Sequence, residues 1–157
     1  MLNKNRLKPP YPWGEGKTWP ERARAICKLI PRGSKIIDFG AGYESINHFA
    51  KPSKYTPVDK YPCTKNTVKA DFNVGVWPKI KEKYDFAVCQ GIIEYIDDVH
   101  AFLNKIKEYS ECFLVTYRRS SPSNQQKVQA RVNYFEPKEF ESILFRHGFK
   151  LKHIEKT

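Results

Sequence analysis

The segment KIIDFGAG, at residues 35–42, places one acidic side chain and two glycines directly after a run of apolar residues. β-Branched and aromatic residues of this kind fill a buried strand, and Gly40 and Gly42 end the pattern abruptly. A glycine suits a turn where a ligand approaches the main chain without meeting a Cβ atom. The segment therefore predicts a buried strand that runs into a ligand-binding turn, with the carboxyl group of Asp38 beside it.

Residues able to bind other parts of a ligand follow three later apolar segments. Asp59 stands about twenty residues beyond the glycine turn, where an acidic side chain can accept hydrogen bonds from ribose hydroxyls. Asp71 and Phe72 offer an acceptor for an exocyclic amine beside an aromatic face for a base. Gln90 and Gly91 end the segment YDFAVCQG. The combination predicts a site for an adenosine-type ligand.

Alternating strand and helix patterns must position these residues. Strands are predicted at 35–39, 55–59, 67–70, 84–90 and 112–117 and from Phe149, with helices near 18–30, 44–50, 96–106 and 137–147. This alternation predicts an α/β fold, a doubly wound and mostly parallel sheet with helices on both faces. In such a sheet the ligand crevice lies beyond the carboxyl ends of the strands, so the candidate residues are expected at one edge.

Length and composition limit the class of protein. The 157 residues predict one domain at 18–157, after an irregular arm at 1–17 rich in Pro, Gly and aromatic residues. No apolar run approaches the ~20 residues that span a bilayer, and four scattered cysteines form no C-x-x-C pair. We therefore expect a soluble, cytoplasmic protein with neither a membrane partner nor a metal site. The net charge of +11 favours an anionic partner or substrate, such as nucleic acid or a phosphorylated sugar.

Taken together, the motifs resemble those of class I S-adenosylmethionine-dependent methyltransferases. DFGAG is similar to the acid-x-Gly-x-Gly first motif of that family, YTPVDKY to the second and ADFN to the third. YDFAVCQGIIEYIDDVHAFLNKI resembles the fourth-motif region of a small, single-domain branch with a Leu-Glu-His-like stretch, and NYFEPKEFESILFRHGFKL resembles that branch's C-terminal helix and strand. The resemblance covers roughly residues 20–155. It implies a Rossmann-like fold with S-adenosylmethionine as the cofactor.

The resemblance also implies a role for each candidate residue. Asp38, Gly40 and Gly42 would hold the methionine part of the cofactor, Asp59 the ribose, Asp71 and Phe72 the adenine, and Gln90 and Gly91 would line the floor beneath it. Glu44 departs from the family, which often has a further glycine there, and Tyr95 stands where many relatives carry histidine. The chain also adds one strand after its last helix where the family generally adds a reversed hairpin, which predicts a shortened sheet edge.

No catalytic base is assigned from the sequence. Glu94, Tyr95, His100 and Tyr117 are candidates near the expected mouth of the site, and each has an ordinary structural role open to it. The loop after the fifth strand could bind phosphate or carboxylate through its basic residues, which are Arg118, Arg119, Lys127 and Arg131.

Several alternatives remain at this point. A nicotinamide-binding fingerprint would place Ser45 at its third glycine, but the acid before Phe39 is typical of the methyltransferase motif, and the chain is short for a hydride-transfer enzyme. For a methyltransferase, a small-molecule or glycan acceptor is favoured by the resemblance to the Leu-Glu-His-like branch. A nucleic-acid acceptor is favoured by the charge and by Tyr11, Trp13 and Trp19, which could stack on bases. A non-catalytic cofactor-binding relative is the third possibility.

Overall fold

A parallel sheet forms the centre of the molecule in the computed structural model, which describes residues 19–118 and 131–154. Its five strands have the order β3-β2-β1-β4-β5, and every pairing between them is parallel. The strands are β1 (Lys35–Phe39), β2 (Lys54–Asp59), β3 (Val68–Lys69), β4 (Phe86–Gln90) and β5 (Phe113–Thr116). The order reverses between β1 and β4, so a crevice lies at the carboxyl ends of these two strands. The predicted doubly wound α/β class is confirmed.

Helices pack on both faces of this sheet. Those in the described ranges are α1 (Trp19–Cys27), α2 (Ser45–Ala50), α3 (Val99–Ile106) and α4 (Pro137–Arg146). Short 3-10 turns at Phe72–Val74 and Ile93–Tyr95 follow β3 and β4. The side chain of Asp98 caps α3 by accepting a hydrogen bond from the N–H of Ala101 at 2.9 Å. A capping box between Glu136 and Glu139 begins α4.

Alternation along the strands decides which face each side chain meets. Ile36 packs with α1 and α2, whereas the neighbouring Ile37, and Phe39 beyond it, pack in the other core cluster with α3 and α4. By the same alternation and the observed register, Asp38, Gln90 and Thr116 stand on the face that α1 and α2 cover. The end of each of these strands therefore presents one polar side chain toward the same side of the crevice.

The predicted final strand from Phe149 is wrong. Residues 149–154 form no strand, and the N–H of Phe149 instead donates to the carbonyl of Leu144 at 3.1 Å. The ring of Phe149 packs 5.4 Å from that of Phe113, so it covers the edge strand β5 without pairing to it. An apolar pattern indicates that a side chain is buried, but not that its backbone pairs with a strand. The prediction of a strand here rested on that pattern alone.

Some predictions fall outside the described residues. These are the arm at residues 1–17, including Tyr11 and Trp13, and the loop residues Arg119 and Lys127. Within the ranges that the structure does describe, no helix combines the length and apolar character needed to cross a bilayer.

Candidate active site

The glycine turn after β1 has one packed side and one open side. Gly40 and Gly42 both have positive φ angles, of 75° and 48°, which glycine adopts without steric cost. A Cβ atom on Gly40 would lie 2.8 Å from Cδ1 of Ile92. A Cβ atom on Gly42 would meet only the carbonyl oxygen of Gly40, at 3.9 Å. Gly40 is thus required by packing, while Gly42 leaves space where a ligand can approach the backbone.

Asp38 lies beneath this turn with 2% of its surface exposed. One of its carboxyl oxygens accepts a hydrogen bond from the hydroxyl of Tyr55 at 2.6 Å. Burial raises the pKa of Asp38 to about 7, against the effect of the Tyr55 bond, and the charges of Asp59 and Glu44 raise it further. Three carboxyl groups therefore lie close together in a protein that is strongly basic overall. Such a group favours a cationic ligand, because a nearby positive charge would relieve their mutual repulsion.

Asp59 joins the end of β2 to the glycine turn. Its two carboxyl oxygens accept hydrogen bonds from the backbone N–H groups of Gly42 and Tyr61, each at 2.8 Å. Burial raises the pKa of Asp59, and the backbone N–H donors oppose that rise. The backbone N–H of Lys60 is a third donor to this carboxylate, so of the four lone pairs on its two oxygens one acceptor position remains for a ligand hydroxyl.

Glu44 stands in a left-handed conformation, with φ at 56°. This explains the glycine that the family often has at the position, since a side chain there is strained. Two threonine hydroxyls hold the side chain: Thr64 and Thr67 donate to Glu44 Oε1 at 2.9 and 3.0 Å. The departure from the family motif therefore preserves the backbone turn and adds a carboxylate beside it.

Asp71 and Phe72 lie at the end of β3. Asp71 forms an ion pair with the ammonium group of Lys60 at 2.8 Å and caps the following 3-10 turn. The ring of Phe72 packs 4.7 Å from that of Trp77. A groove of about 390 Å³ opens beside it; its lining is Phe72, Asn73, Gly75, Trp77, Asp97, Asp98, Ala101, Phe102 and Lys105. Phe72, one of the predicted adenine residues, lines this groove, whereas Gly40 and Gly42 do not.

The ends of β4 and β5 form the other half of the crevice. Gln90, the last residue of β4, pairs with Thr116, the last of β5. Gly91 turns away with φ at 65°, and a Cβ atom there would lie 3.5 Å from a guanidinium nitrogen of Arg22 in α1. The first turn of α1 thus reaches across the carboxyl end of β4.

Glu94 is buried behind these strand ends, with 1% exposed. Its Oε1 accepts a hydrogen bond from the backbone N–H of Arg118 at 2.9 Å. Its backbone carbonyl accepts from the N–H groups of Val132 at 2.8 Å and Asn133 at 3.2 Å. Contacts to both β5 and the returning segment therefore fix the 3-10 turn that carries Glu94.

The fold and its crevice agree with what sequence comparison finds. The methyltransferase domain family matches residues 17–154 of the chain. The chain belongs to this family. A search of the curated proteins found no match.

Solved structures of similar fold include S-adenosylmethionine-dependent methyltransferases. One from Mesorhizobium loti is 15% identical, with a TM-score of 0.65 over 89% of this chain and 84% of its own. A possible histamine N-methyltransferase from Thermotoga maritima is 15% identical, with a TM-score of 0.62 over 84% and 71%. A complex of the Haloferax volcanii Trm112 methyltransferase activator with a putative methyltransferase gives 14% identity and a TM-score of 0.66 over 84% and 69%. At these identities the similarity establishes the fold.

The protein is therefore a class I S-adenosylmethionine-dependent methyltransferase. The residues present fit this cofactor, because Asp59 binds the N–H of Gly42, the Cβ position of Gly42 is open, and the carboxyl groups of Glu44 and Asp59 act on that of Asp38. The ammonium and sulfonium groups of S-adenosylmethionine supply the positive charge that such a group favours.

Among the base candidates of this methyltransferase, Tyr117 and His100 are held by contacts within the fold. Tyr117 accepts a hydrogen bond from the N–H of Phe135 at 2.5 Å, and burial raises its pKa to about 12. His100 is hydrogen-bonded to His147 at 2.7 Å and joins α3 to α4. These contacts give Tyr117 and His100 structural roles.

Sequence reasoning missed Arg22. It lies in α1 among apolar residues at helical spacing, where a basic residue indicates only a partly exposed face. Nothing in the local pattern places the start of α1 over the carboxyl end of β4, because that position depends on how α1 packs on the sheet.

Proposed function

We propose that this methyltransferase transfers the methyl group of S-adenosylmethionine to a small-molecule or glycan acceptor. In this proposal the cofactor residues are those of the sequence motifs, in the order of the strands: Asp71 and Phe72 for adenine at β3, Asp59 for ribose at β2, Asp38, Gly40 and Gly42 for the methionine part at β1, and Gln90 and Gly91 beneath it at β4. We also propose that residues 18–157 are one domain with an arm at 1–17. We propose a cytoplasmic location, in keeping with the thiols of Cys27, Cys89 and Cys112, which are free of disulfides.

The order of the strands carries this proposal. A cofactor extended from β3 to β1 leaves the ends of β4 and β5 for the acceptor. Most of the polar groups found there are enclosed, since Glu94 is buried and Arg22 and Arg131 are half-buried, whereas Arg118 is exposed. An enclosed site of this kind suits a small ligand, which can be surrounded, better than a duplex or a folded RNA.

The distribution of charge supports the same conclusion. Lys35 and Lys54 are the first residues of β1 and β2, so they lie at the amino edge of the sheet, opposite the crevice. Both pair with Glu82. Part of the net positive charge therefore belongs to a surface remote from the proposed site.

The bound cofactor supplies an electrophilic methyl group, and the work left to the chain is binding and alignment. Asp59 and the Gly42 turn hold the cofactor on one side of the crevice. The ends of β4 and β5 hold the acceptor on the other side.

The cofactor half is tested by calorimetric titration with S-adenosylmethionine and S-adenosylhomocysteine. Asp59→Ala removes a carboxylate that braces Gly42, and we expect at least tenfold weaker binding, from the loss of hydrogen bonds to a charged group. Asp85→Ala is a matched control, since Asp85 also accepts a backbone N–H, that of Lys35 at 2.7 Å, but at the opposite edge of the sheet. Equal loss in both variants would contradict the proposed site.

The acceptor class is tested with S-adenosylmethionine labelled in its methyl group. The protein is incubated with a low-molecular-mass cell extract and, separately, with total RNA. We expect label in the small-molecule fraction. Label in RNA, with a steep dependence on salt, would instead support the second candidate, a nucleic-acid methyltransferase, which the net charge of +11 favours.

A further inference from the structure

Three arginines meet at the acceptor half of the crevice, and we call Arg22, Arg118 and Arg131 the arginine cluster. They come from α1, from the end of β5 and from the segment that returns toward α4. Glu94 is a neighbour of two of them: its Oε1 accepts the backbone N–H of Arg118, and its charge acts on Arg22, on which Arg118 and Arg131 also act. The guanidinium of Arg131 lies 6.0 Å from the centre of the Tyr95 ring, next to Glu94 in sequence.

Four buried polar atoms around this cluster have no hydrogen-bond partner in the part of the chain that the structure describes. They are Nε of Arg22, Oε2 of Glu94, Oγ1 of Thr116 and Nε of Arg131. A buried polar group without a partner destabilises the folded state, so native proteins rarely leave one unsatisfied. Four at one place indicate that a polar ligand, carrying both acceptors and a donor, completes the site.

The electrostatics indicate the charge of that ligand. Burial lowers the pKa of Arg22, as do the charges of Arg118 and Arg131, and Glu94 and Tyr95 oppose the shift. No ion pair within 4 Å joins Glu94 to any member of the cluster among the residues described. Three positive groups with one carboxylate leave a local excess of positive charge, which an oxyanion would neutralise through charge-assisted hydrogen bonds.

We propose that the acceptor is a small molecule that carries an oxyanion, a carboxylate or a phosphate, beside the hydroxyl or amine to be methylated. This inference rests on the proposed function and names the substrate class. The arginine cluster binds the oxyanion, with Arg22 and Arg131 as its principal donors. Oε2 of Glu94 accepts a hydrogen bond from the O–H or N–H of the nucleophile.

The transfer then balances without a further reactant. A lone pair on the acceptor oxygen or nitrogen forms the new bond to the methyl carbon, and the bond from that carbon to sulfur breaks. The products are S-adenosylhomocysteine and the methylated acceptor. The proton of the nucleophile passes to Glu94 and from there to solvent.

The test measures anion binding directly, so it does not depend on knowing the acceptor. Inorganic phosphate and malonate are titrated into the protein, with and without S-adenosylhomocysteine, and the midpoint of thermal unfolding is recorded against sodium chloride of equal ionic strength. We expect a rise with at least one of the two anions in the wild type. Phosphate alone would identify a phosphorylated acceptor, and malonate alone a carboxylate.

Matched variants locate the effect. Arg22→Gln and Arg131→Gln should weaken anion binding about tenfold or more, from the loss of charge-assisted hydrogen bonds. Arg24→Gln is the control, because Arg24 lies on the same helix but contacts the Phe49 ring, 4.9 Å away, and it should bind anions like the wild type. Glu94→Gln keeps an acceptor for the N–H of Arg118 while removing a negative charge, so anion binding should tighten.

Absence of any anion-specific stabilisation in the wild type would overturn the proposal, as would equal losses in Arg22→Gln and Arg24→Gln. Failure of the proposed function is distinguishable, because it appears as a failure to bind S-adenosylhomocysteine in the same samples. The titrations made without that compound report on the arginine cluster in either case.

Discussion

The buried carboxyl group of Asp38 predicts that folding stability falls as the pH rises toward neutrality. Burial raises its pKa from an ordinary 3.8 to about 7. Between these two values the folded chain holds a proton that the unfolded chain has lost, so folding is favoured by that proton. The contribution is complete below pH 3.8 and is lost as the pH rises through about 7.

The magnitude follows from the same two values. They differ by about three pH units, and each is equivalent to about 1.4 kcal/mol, which gives a total of about 4 kcal/mol. Asp38→Asn removes the titration but keeps a carbonyl oxygen that can accept the Tyr55 hydroxyl. Relative to the wild type, the variant should therefore become more stable by about 1.4 kcal/mol for each pH unit between pH 4 and pH 7, and should gain no more above that.

Urea unfolding of both proteins between about pH 4 and pH 8 measures this difference. Titrating groups that the two proteins share contribute to both profiles, so most of their effect cancels when one profile is subtracted from the other. Tyr55→Phe is a matched variant, because it removes a bond that lowers the pKa of Asp38. Its stability should keep falling to a higher pH than that of the wild type. A constant difference between Asp38→Asn and the wild type over the whole range would refute the argument from burial.

Two further predictions concern the turn and the helix pair. Glu44→Ala loses two hydrogen bonds but keeps a strained φ, so it should be less stable than the wild type by about 1–2 kcal/mol. Glu44→Gly relieves the strain and should be about 1 kcal/mol more stable than the alanine variant. Urea unfolding compares the variants, and an alanine variant as stable as the glycine variant would count against strain. Burial and the charge of His100 lower the pKa of His147, so its contribution to stability is present above its ordinary pKa of 6.5 and should be lost as the pH falls below that value. Thermal unfolding of wild type and His147→Gln between about pH 5 and pH 8 checks this, and parallel profiles would contradict it.

The sheet itself was predictable because its signals are local. Apolar runs bounded by glycine, proline and polar residues indicated the first five strands. The observed ends of these strands lie within two residues of the predicted ends. The last strand was predicted wrongly from Phe149, since an aromatic residue can be buried against a strand without joining it. The strand predicted at 67–70 is also shorter in the structure, where only Val68 and Lys69 pair as β3. Residue types indicate an extended segment but not how many of its residues pair with a neighbouring strand.

The predicted cofactor residues also depended on local signals. Asp38, Gly40 and Gly42 are contiguous in sequence, and a strand followed by a glycine turn sets their relative positions. The structure adds that Asp59 binds the N–H of Gly42 and that Glu44 replaces a glycine while keeping its backbone conformation. Their contacts with a bound cofactor stay a prediction, which the Asp59→Ala titration tests.

The sequence by itself determined the strand-and-turn motif, the α/β class and the family, because each follows from residue types within a few positions of one another. Only the tertiary structure decided what faces the acceptor half of the crevice. Arg22, Glu94 and Arg131 come from three separate segments and meet through the packing of α1 and of the returning chain on the sheet. No local sequence pattern links residues so distant from one another. They come close only because the core buries one particular face of each helix and one particular edge of the sheet.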